Sequence, residues 1–297
     1  MVQTLRQTLS QVVRHRIFPP PCDCPDCHST RKRVWQTRPP IRMHQAWLCS
    51  PQCVERAARF ILDRAASFHR SVPSPAHRMP LGLLMLAHGY VNEFQLQAAL
   101  DAQRHAAESK LGQWLQTLNF ATERQVLAAL GVQWACPLLA MRESLIPPCI
   151  GLVPSPLLQA LKLVPVRFIP ATRLLYAALC DRVDYTALSA IEQLLDCRTV
   201  PCLVSDRVMH IMLERLQKAE SVVHVFDRMS STAEMARIVG SYVAMLSSED
   251  VRIARCGPYI WVRLEAYRNF TDLLFSLTEE RPAVLVPPPA LMDQAGI

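Results

Sequence analysis

"PLGLLMLAHGYVNEFQLQAALDAQ", residues 80–103, is matched at the same internal spacing by "KLGQWLQTLNFATERQVLAALGVQ", residues 110–133. Aligned without gaps, the two stretches agree at Leu81/Leu111, Gly82/Gly112, Glu93/Glu123, Gln95/Gln125, Ala98/Ala128, Ala99/Ala129, Leu100/Leu130 and Gln103/Gln133. Each copy opens a first helix after Leu-Gly, with apolar positions (Leu83, Leu84, Leu86; Trp114, Leu115, Leu118) toward a core. Gly89 and Asn119 then end it, because these residue types best tolerate the left-handed conformation that closes a helix. Asn92 and Thr122, each three positions ahead of a Gln, read as N-caps in capping boxes that start a second helix. Two matching helix-turn-helix hairpins follow from this pattern. Gly82 and Gly112, without a Cβ, admit close approach of another backbone or a flat ligand.

Outward from the repeat, "HRSVPSPAH" (69–77) reads as a linker, since its prolines cannot continue a helix. After "SLIPPCIGLVPSP" the pattern becomes alternating: a helix at 155–161, strands at 162–169 and 173–180, a helix over Tyr185–Leu195, a strand at 198–204 and a helix from Asp206 to about Lys218. Such lengths make a small α/β lobe with a helix-covered sheet. A helix at 233–246, two β-rich runs parted by Gly257-Pro258 and the apolar "TDLLFSL" read as an α-β-β-α unit. "RPAVLVPPPALMDQAGI" reads as a disordered tail. The expected architecture is thus an α+β multidomain chain. Residues 1–70 form a four-cysteine zinc module, the tandem helical hairpins occupy 78–140 and pack with the α/β lobe at 141–220, the C-terminal α+β unit spans 221–281, and the tail covers 282–297.

The paired motifs resemble the tandem motif of the N-terminal, MshEN-type domain of type II secretion and type IV pilus assembly ATPases: a basic residue, Leu-Gly, a helix, Gly, and a second helix with a late Leu and a terminal Gln. The continuation "IPPCIGLVPSPLLQALKLVPVRFI" is similar to that domain's passage into its α/β lobe, so the likeness covers about residues 78–217. The resemblance implies cyclic di-GMP as a ligand, one motif holding each half. By position it points to Leu81, Gly82, Gly89, Leu100 and Gln103 in the first copy, and to Lys110, Leu111, Gly112, Leu130 and Gln133 in the second. A dianion with two purine faces wants a cation, backbone N–H groups, apolar platforms and an amide that reads a base edge. Two positions depart from the pattern: Pro80 replaces the basic residue and Asn119 the second glycine. Losing one charge-assisted hydrogen bond costs about 1.5–3 kcal/mol, roughly ten- to a hundredfold in affinity. Arg78, two positions upstream, is the nearest replacement, and without a ligand the repeat remains a packing unit.

Eleven cysteines, five of them crowded at Cys22, Cys24, Cys27, Cys49 and Cys53, read in a chain without an export signal as a metal site plus core thiols. Cys24-x2-Cys27 and Cys49-x3-Cys53 supply two thiolate pairs for a structural Zn2+, with Ser50 as N-cap and Pro51 as first residue of the following helix. This arrangement resembles a treble-clef zinc finger. Cys22 is a spare ligand or a bystander, and His28 and His44 are weaker alternatives. Four sulfur ligands leave no open position, which points away from catalytic zinc.

The net charge of +7 is concentrated: residues 1–70 hold 12 Arg or Lys against 4 Asp or Glu, the rest 20 against 21. Arg31, Lys32, Arg33, Arg38 and Arg42 with Trp35 and Trp47 make either a phosphate-binding face or a solvated surface around a small core. In "VRIARCGPYIWVRLEAYRN" (251–269), Arg252, Arg255, Arg263 and Arg268 with Tyr259, Trp261 and Tyr267 make either a basic, aromatic contact face or a half-buried hairpin. No apolar stretch approaches the roughly 20 residues of a membrane span. GxxxxGK[ST] is missing, as are Gly-x-Ser-x-Gly and His-Glu-x-x-His, which excludes an ATPase motor and leads to the expectation of no enzyme. The sequence therefore reads as a cytoplasmic, non-enzymatic regulator or adaptor with cyclic di-GMP as candidate ligand. Nucleic-acid binding through residues 1–70, and a ligand-free scaffold docking to secretion or pilus machinery, stand beside it.

Overall fold

The computed structural model describes residues 20–27, 39–67, 78–105, 109–139, 149–180, 182–216, 223–267 and 269–277. The tail at 282–297, the linker at 69–77 and the basic stretch from His28 to Arg38 lie outside the described residues, as does Arg268. The Cys-rich segment supplies β1 (Ile41–Met43), β2 (Ala46–Leu48) and α1 (Pro51–Ser67). The repeat forms α2 (Leu81–Ala87), α3 (Glu93–His105), α4 (Leu111–Thr117) and α5 (Glu123–Trp134). Then come α6 (Ser155–Leu161), β3 (Leu163–Ile169), β4 (Leu174–Leu179), α7 (Tyr185–Leu195), β5 (Arg198–Leu203) and α8 (Asp206–Leu216). The last elements are β6 (Val223–Met229), α9 (Thr232–Leu246), β7 (Asp250–Cys256), β8 (Tyr259–Ala266) and β9 (Asn269–Leu277). No helix among these is long and apolar enough to cross a membrane.

The alternation of helices and strands read between 155 and about 218 forms, its element boundaries within about two residues of those expected. The sheet here runs β3-β4-β5, antiparallel and then parallel. Asp184 caps α7 by accepting from the N–H groups of Thr186 and Ala187, both at 3.1 Å, which fixes where that helix starts.

The C-terminal reading needs two corrections. "TDLLFSL" lies in strand β9 rather than a helix, and β6 precedes α9, so the order is β-α-β-β-β. The six-stranded sheet runs β2-β1-β7-β8-β9-β6, with β1 pairing in parallel with β7. Residues read as an N-terminal module and a separate C-terminal unit thus share one sheet. The reason lies in its two buried faces. Ile260, Val262, Leu264, Leu273 and Phe275 face a core completed by α1 and α9, while Trp261 and Leu274 face a core shared with α7 and the α/β lobe. Strands covered on both sides lose the polar alternation that marks a strand, and a short apolar run then reads equally well as a helix. A three-residue β1 and β2 cannot bury a face by themselves, and the edge of β7 completes them.

Helices α1 and α9 approach closely where Gly240 meets α1: a Cβ there would lie 3.2 Å from Glu55 Cβ and 3.4 Å from the Pro51 carbonyl oxygen. Arginines of β7 then clamp a helix end on each face. Arg252 Nη1 donates to the Leu194 carbonyl at the end of α7 (2.9 Å), and Arg255 Nη1 to the Ala65 and Ala66 carbonyls at the end of α1 (3.3 and 3.1 Å). Cations at helix C-termini complement both the unpaired carbonyls and the dipole.

Candidate nucleotide site and metal centre

In the repeat, the predicted caps form. Asn92 Oδ1 accepts from the Gln95 N–H at 2.9 Å and Gln95 Oε1 from the Asn92 N–H at 3.0 Å. Thr122 and Gln125 reproduce the exchange at 3.3 and 2.8 Å. Gly89 (φ +65°) and Asn119 (φ +56°) occupy the left-handed region expected of both.

The copies interlock: α3 packs on α4 and α2 on α5, so each helix finds its main partner in the other copy. The Leu-Gly pairs are exchanged in the same way. A Cβ on Gly82 would meet Leu96 at 3.0 Å and Leu111 at 3.4 Å, and one on Gly112 would meet Val126 at 2.8 Å and Leu81 at 3.6 Å. The space freed at these buried glycines is therefore filled by leucine and valine of the repeat itself. Leu81, Leu100, Leu111 and Leu130 are half-buried against the repeat's core around Met85, Ala99, Leu115 and Ala129.

The terminal glutamines make the third reciprocal contact. Gln103 Nε2 donates to the Ser109 carbonyl (3.1 Å), just ahead of Lys110, and Gln133 Nε2 donates to the Met79 carbonyl (2.9 Å), just ahead of Pro80. Each copy's last residue latches the other copy's entry, which relates the two by an approximate two-fold axis. Lys110 is exposed beside one latch, its N–H donating to Gln113 Oε1 at 3.3 Å. Arg78 is exposed beside the other, its Cζ 3.8 Å from the centroid of the Trp134 ring and 5.7 Å from that of Tyr185. Trp134 carried no motif signal; only its place directly after Gln133 marks it.

In the Cys-rich segment, the thiols of Cys22, Cys27, Cys49 and Cys53 lie within 4.8 Å of one another, with Cys27–Cys49 and Cys49–Cys53 sulfur separations of 3.6 Å. A tetrahedral ion with sulfur ligands near 2.3 Å places neighbouring sulfurs about 3.8 Å apart, so the donor set fits Zn2+. Here the sequence reading is corrected: Cys22, not Cys24, joins the group. Asp23 lies against β2, its N–H donating to the Trp47 carbonyl (2.9 Å) and its Oδ2 accepting from the Trp47 N–H (2.7 Å). Cys24 is buried in the same apolar cluster as Met43, Leu48 and Leu62. The signal was present as the spacing Cys22-x4-Cys27 beside the shorter one.

Ser50 and Pro51 start α1 as expected, Ser50 Oγ accepting from the Cys53 N–H at 3.3 Å. Arg56 Nη1 donates to the Asp26 carbonyl (2.6 Å) and ties the metal turn to α1. Burial, and hydrogen bonds from Cys27, Cys53 and Cys22, push the Cys49 thiol up to about 12. A bound cation would reverse that balance by favouring the thiolates.

His44, a weaker metal alternative in the sequence, takes no part in this group. At the β1–β2 turn (φ +53°) its Nε2 lies 3.3 Å from the Ile253 N–H and its Nδ1 3.2 Å from Gln193. Burial, with Arg252 nearby, holds its pKa below the ordinary imidazole value.

Of the C-terminal arginines that could have formed a contact face, Arg263 is buried and Arg252 and Arg255 are half-buried in the sheet. Arg263 is 3 % exposed and makes a two-pronged bond to Asp272 (2.8 and 2.7 Å), and Trp261 Nε1 donates to the same carboxylate at 2.7 Å. Arg263 Nη2 also reaches the Leu152 carbonyl (2.8 Å), and its guanidinium lies over Phe270 at 4.3 Å. Asp250 accepts from Arg42 (3.2 and 2.7 Å) and Arg252 (3.0 and 2.9 Å). Burial alone would raise the Asp250 carboxyl, but the hydrogen bonds and charges of Arg42 and Arg252 bring it below the ordinary range. Arg42, read from the sequence as part of either a phosphate-binding face or a solvated surface, is thus half-exposed and paired with Asp250 of the sheet. Among the remaining thiols, Cys180 and Cys202 are buried in the core of the α/β lobe, and burial pushes Cys180 up to about 12 and Cys202 to about 11.

No protein-family model and no curated protein matches the chain. Among solved structures it is similar to that of MshE with cdg, at 26 % identity over 47 % of this chain and 99 % of that one, with a TM-score of 0.40. It is also similar to the N-terminal domain of XpsE in two crystal forms. One shows 19 % identity over 48 % of this chain and 95 % of that one (TM-score 0.37), the other 17 % over 50 % and 97 % (TM-score 0.29).

Proposed function

We propose that this chain is a non-enzymatic regulator or adaptor whose interlocked hairpins take a cyclic dinucleotide, cyclic di-GMP, and pass its presence to a protein partner. The observation that carries the reading is the reciprocal latch, Gln103 to the Ser109 carbonyl and Gln133 to the Met79 carbonyl. It gives the repeat an approximate two-fold axis with an exposed cation at each entry. A ligand with its own two-fold symmetry, two phosphates and two bases can address two such half-sites at once, and linking two weak contacts multiplies their affinities. The Leu-Gly, late Leu and terminal Gln of both copies support the same ligand through their resemblance to the secretion-ATPase motif. The partner belongs, on this reading, to secretion or pilus machinery.

Cys22, Cys27, Cys49 and Cys53 would hold Zn2+ as a structural cross-link between the N-terminal turn and α1. The role of these residues is to fix β1 and β2 against β7.

Calorimetric titration of the full chain with cyclic di-GMP tests the proposal. Heat with a stoichiometry of one dinucleotide per repeat pair is expected, at a Kd in the micromolar range or tighter. No heat at tens of micromolar would overturn it.

A further inference from the structure

The first copy of the motif has proline where a cation is expected, which leaves one half of a two-fold site without an obvious anion partner. Resting on the nucleotide reading above, we propose that Arg78, placed over the Trp134 ring, is the cation of the first half-site and binds a phosphate of the ligand.

Its surroundings differ from those of the arginines that hold the sheet together. Arg42, Arg252 and Arg263 give their N–H groups to carboxylates, while Arg56 and Arg255 give theirs to backbone carbonyls. Arg78 makes no hydrogen bond or ion pair among the described residues, and its contacts are the Trp134 and Tyr185 rings. Stacking on a ring face orients the guanidinium plane and leaves its N–H edge available to solvent. That edge matches two phosphate oxygens in a fork, and a side chain already oriented loses less freedom on binding.

The position fits as well. Arg78 directly precedes Met79, whose carbonyl is latched by Gln133, and Lys110 directly follows Ser109, whose carbonyl is latched by Gln103. Both cations therefore stand at equivalent entries of the dyad, on opposite sides of the latched residue. The first copy has no equivalent stack among the described residues: the counterpart of Trp134 there is Arg104, which pairs with Asp101 at 2.9 Å. The second half-site already owns Lys110.

The test uses the full chain and cyclic di-GMP in calorimetric titration, comparing wild type with Arg78→Ala, Arg78→Lys, Trp134→Leu and Lys110→Ala. Arg78→Ala should weaken binding roughly ten- to a hundredfold, comparably to Lys110→Ala. Arg78→Lys should recover part of the loss, because it keeps the charge without the planar fork. Trp134→Leu should weaken binding by less than Arg78→Ala, having removed orientation but no charge. Thermal midpoints close to wild type confirm that the exposed Arg78 variants fold. If wild type binds, Lys110→Ala loses affinity and Arg78→Ala does not, the assignment of Arg78 is overturned and the nucleotide reading stands. If wild type gives no heat, both fall.

Discussion

Between residues 80 and 133 the fold is held by contacts within one repeat, the capping exchanges spanning three residues and the glutamine latches 6 and 54. The six-stranded sheet is held instead by Arg42 on Asp250, 208 residues away, and by α1 packed on α9. The helices of the repeat find their main partners within it, although Leu127, Leu130 and Trp134 also pack against the core of the α/β lobe. The sheet exists only when the two ends of the described chain meet, and a four-sulfur cluster sits at the end that would otherwise have the smallest core. A metal held by these sulfurs would serve the same purpose there as the distant strand edge. The hairpins are packed instead by small residues and reciprocal contacts between the copies.

The largest effect that would break this contrast is loss of the metal ligands. Structural Zn2+ in small domains contributes on the order of 10–16 kcal/mol of apparent binding energy, most of it folding energy. Chelation or Cys49→Ser should collapse hydrogen-exchange protection in β1, β2 and the β1-facing edge of β7, while α3 and α5 keep theirs. Equal loss in both regions would show one cooperative unit and end the distinction. Metal analysis sharpens it further: Cys22→Ser should lower the metal content per chain, and Cys24→Ser should leave it near wild type.

Next in size is the buried pair inside the sheet. Removing one partner by Asp272→Ala strands the Arg263 charge and should cost about 3–5 kcal/mol in denaturant unfolding. A loss below about 1 kcal/mol, the range of an exposed pair, would place Arg263 in contact with water. In the repeat the comparable lever is steric. Gly112→Ala puts a Cβ 2.8 Å from the stiff Val126 side chain and should cost about 1–3 kcal/mol, whereas Gly82→Ala, at 3.0 Å from a leucine tip, should cost less. Reversal of that order would mean the interlock is looser around α4 than around α2.

The gentlest probe is pH, and it should act on the sheet alone. The His44 pKa is lowered in the fold, so as pH falls through the unfolded value of 6.5 the unfolded chain takes up the proton first and stability declines. The Asp250 pKa is lowered too. Its contribution is present above the unfolded value of 3.8 and disappears as pH falls through the still lower folded value. Unfolding midpoints of His44→Gln should lack the upper part of this decline and those of Asp250→Asn the lower part. A profile unchanged by either variant would remove these groups from the account.

How much could be read beforehand follows from where the determining contacts lie. The caps of Asn92 and Thr122, the left-handed Gly89 and Asn119, and the limits of α6 and α7 are local, and residue type alone decides them. The strand at Asn269–Leu277 was hidden because Asp272, Leu273, Leu274 and Phe275 are all buried in a sheet covered on both faces. Cys22 was hidden by the shorter Cys24-x2-Cys27 spacing, since the choice between them rests on Asp23 meeting Trp47, a contact that spacing does not encode. The stack of Arg78 on Trp134 belongs to the same class: it joins a residue two positions ahead of the first copy to the residue after the second.

The pairing of Arg42 with Asp250 also sets a timetable. Chain growth on the ribosome proceeds at about 5–20 residues per second, so the 208 residues that separate these partners take roughly 10–40 s to emerge. For that interval β1, β2 and the apolar face of α1 have no sheet to join, while the hairpins can already fold behind them. A newborn chain thus carries an exposed apolar flank that its own last strands must reach, and early capture of the ion by the cysteines would shorten the search by holding β2 and α1 together until β7 arrives.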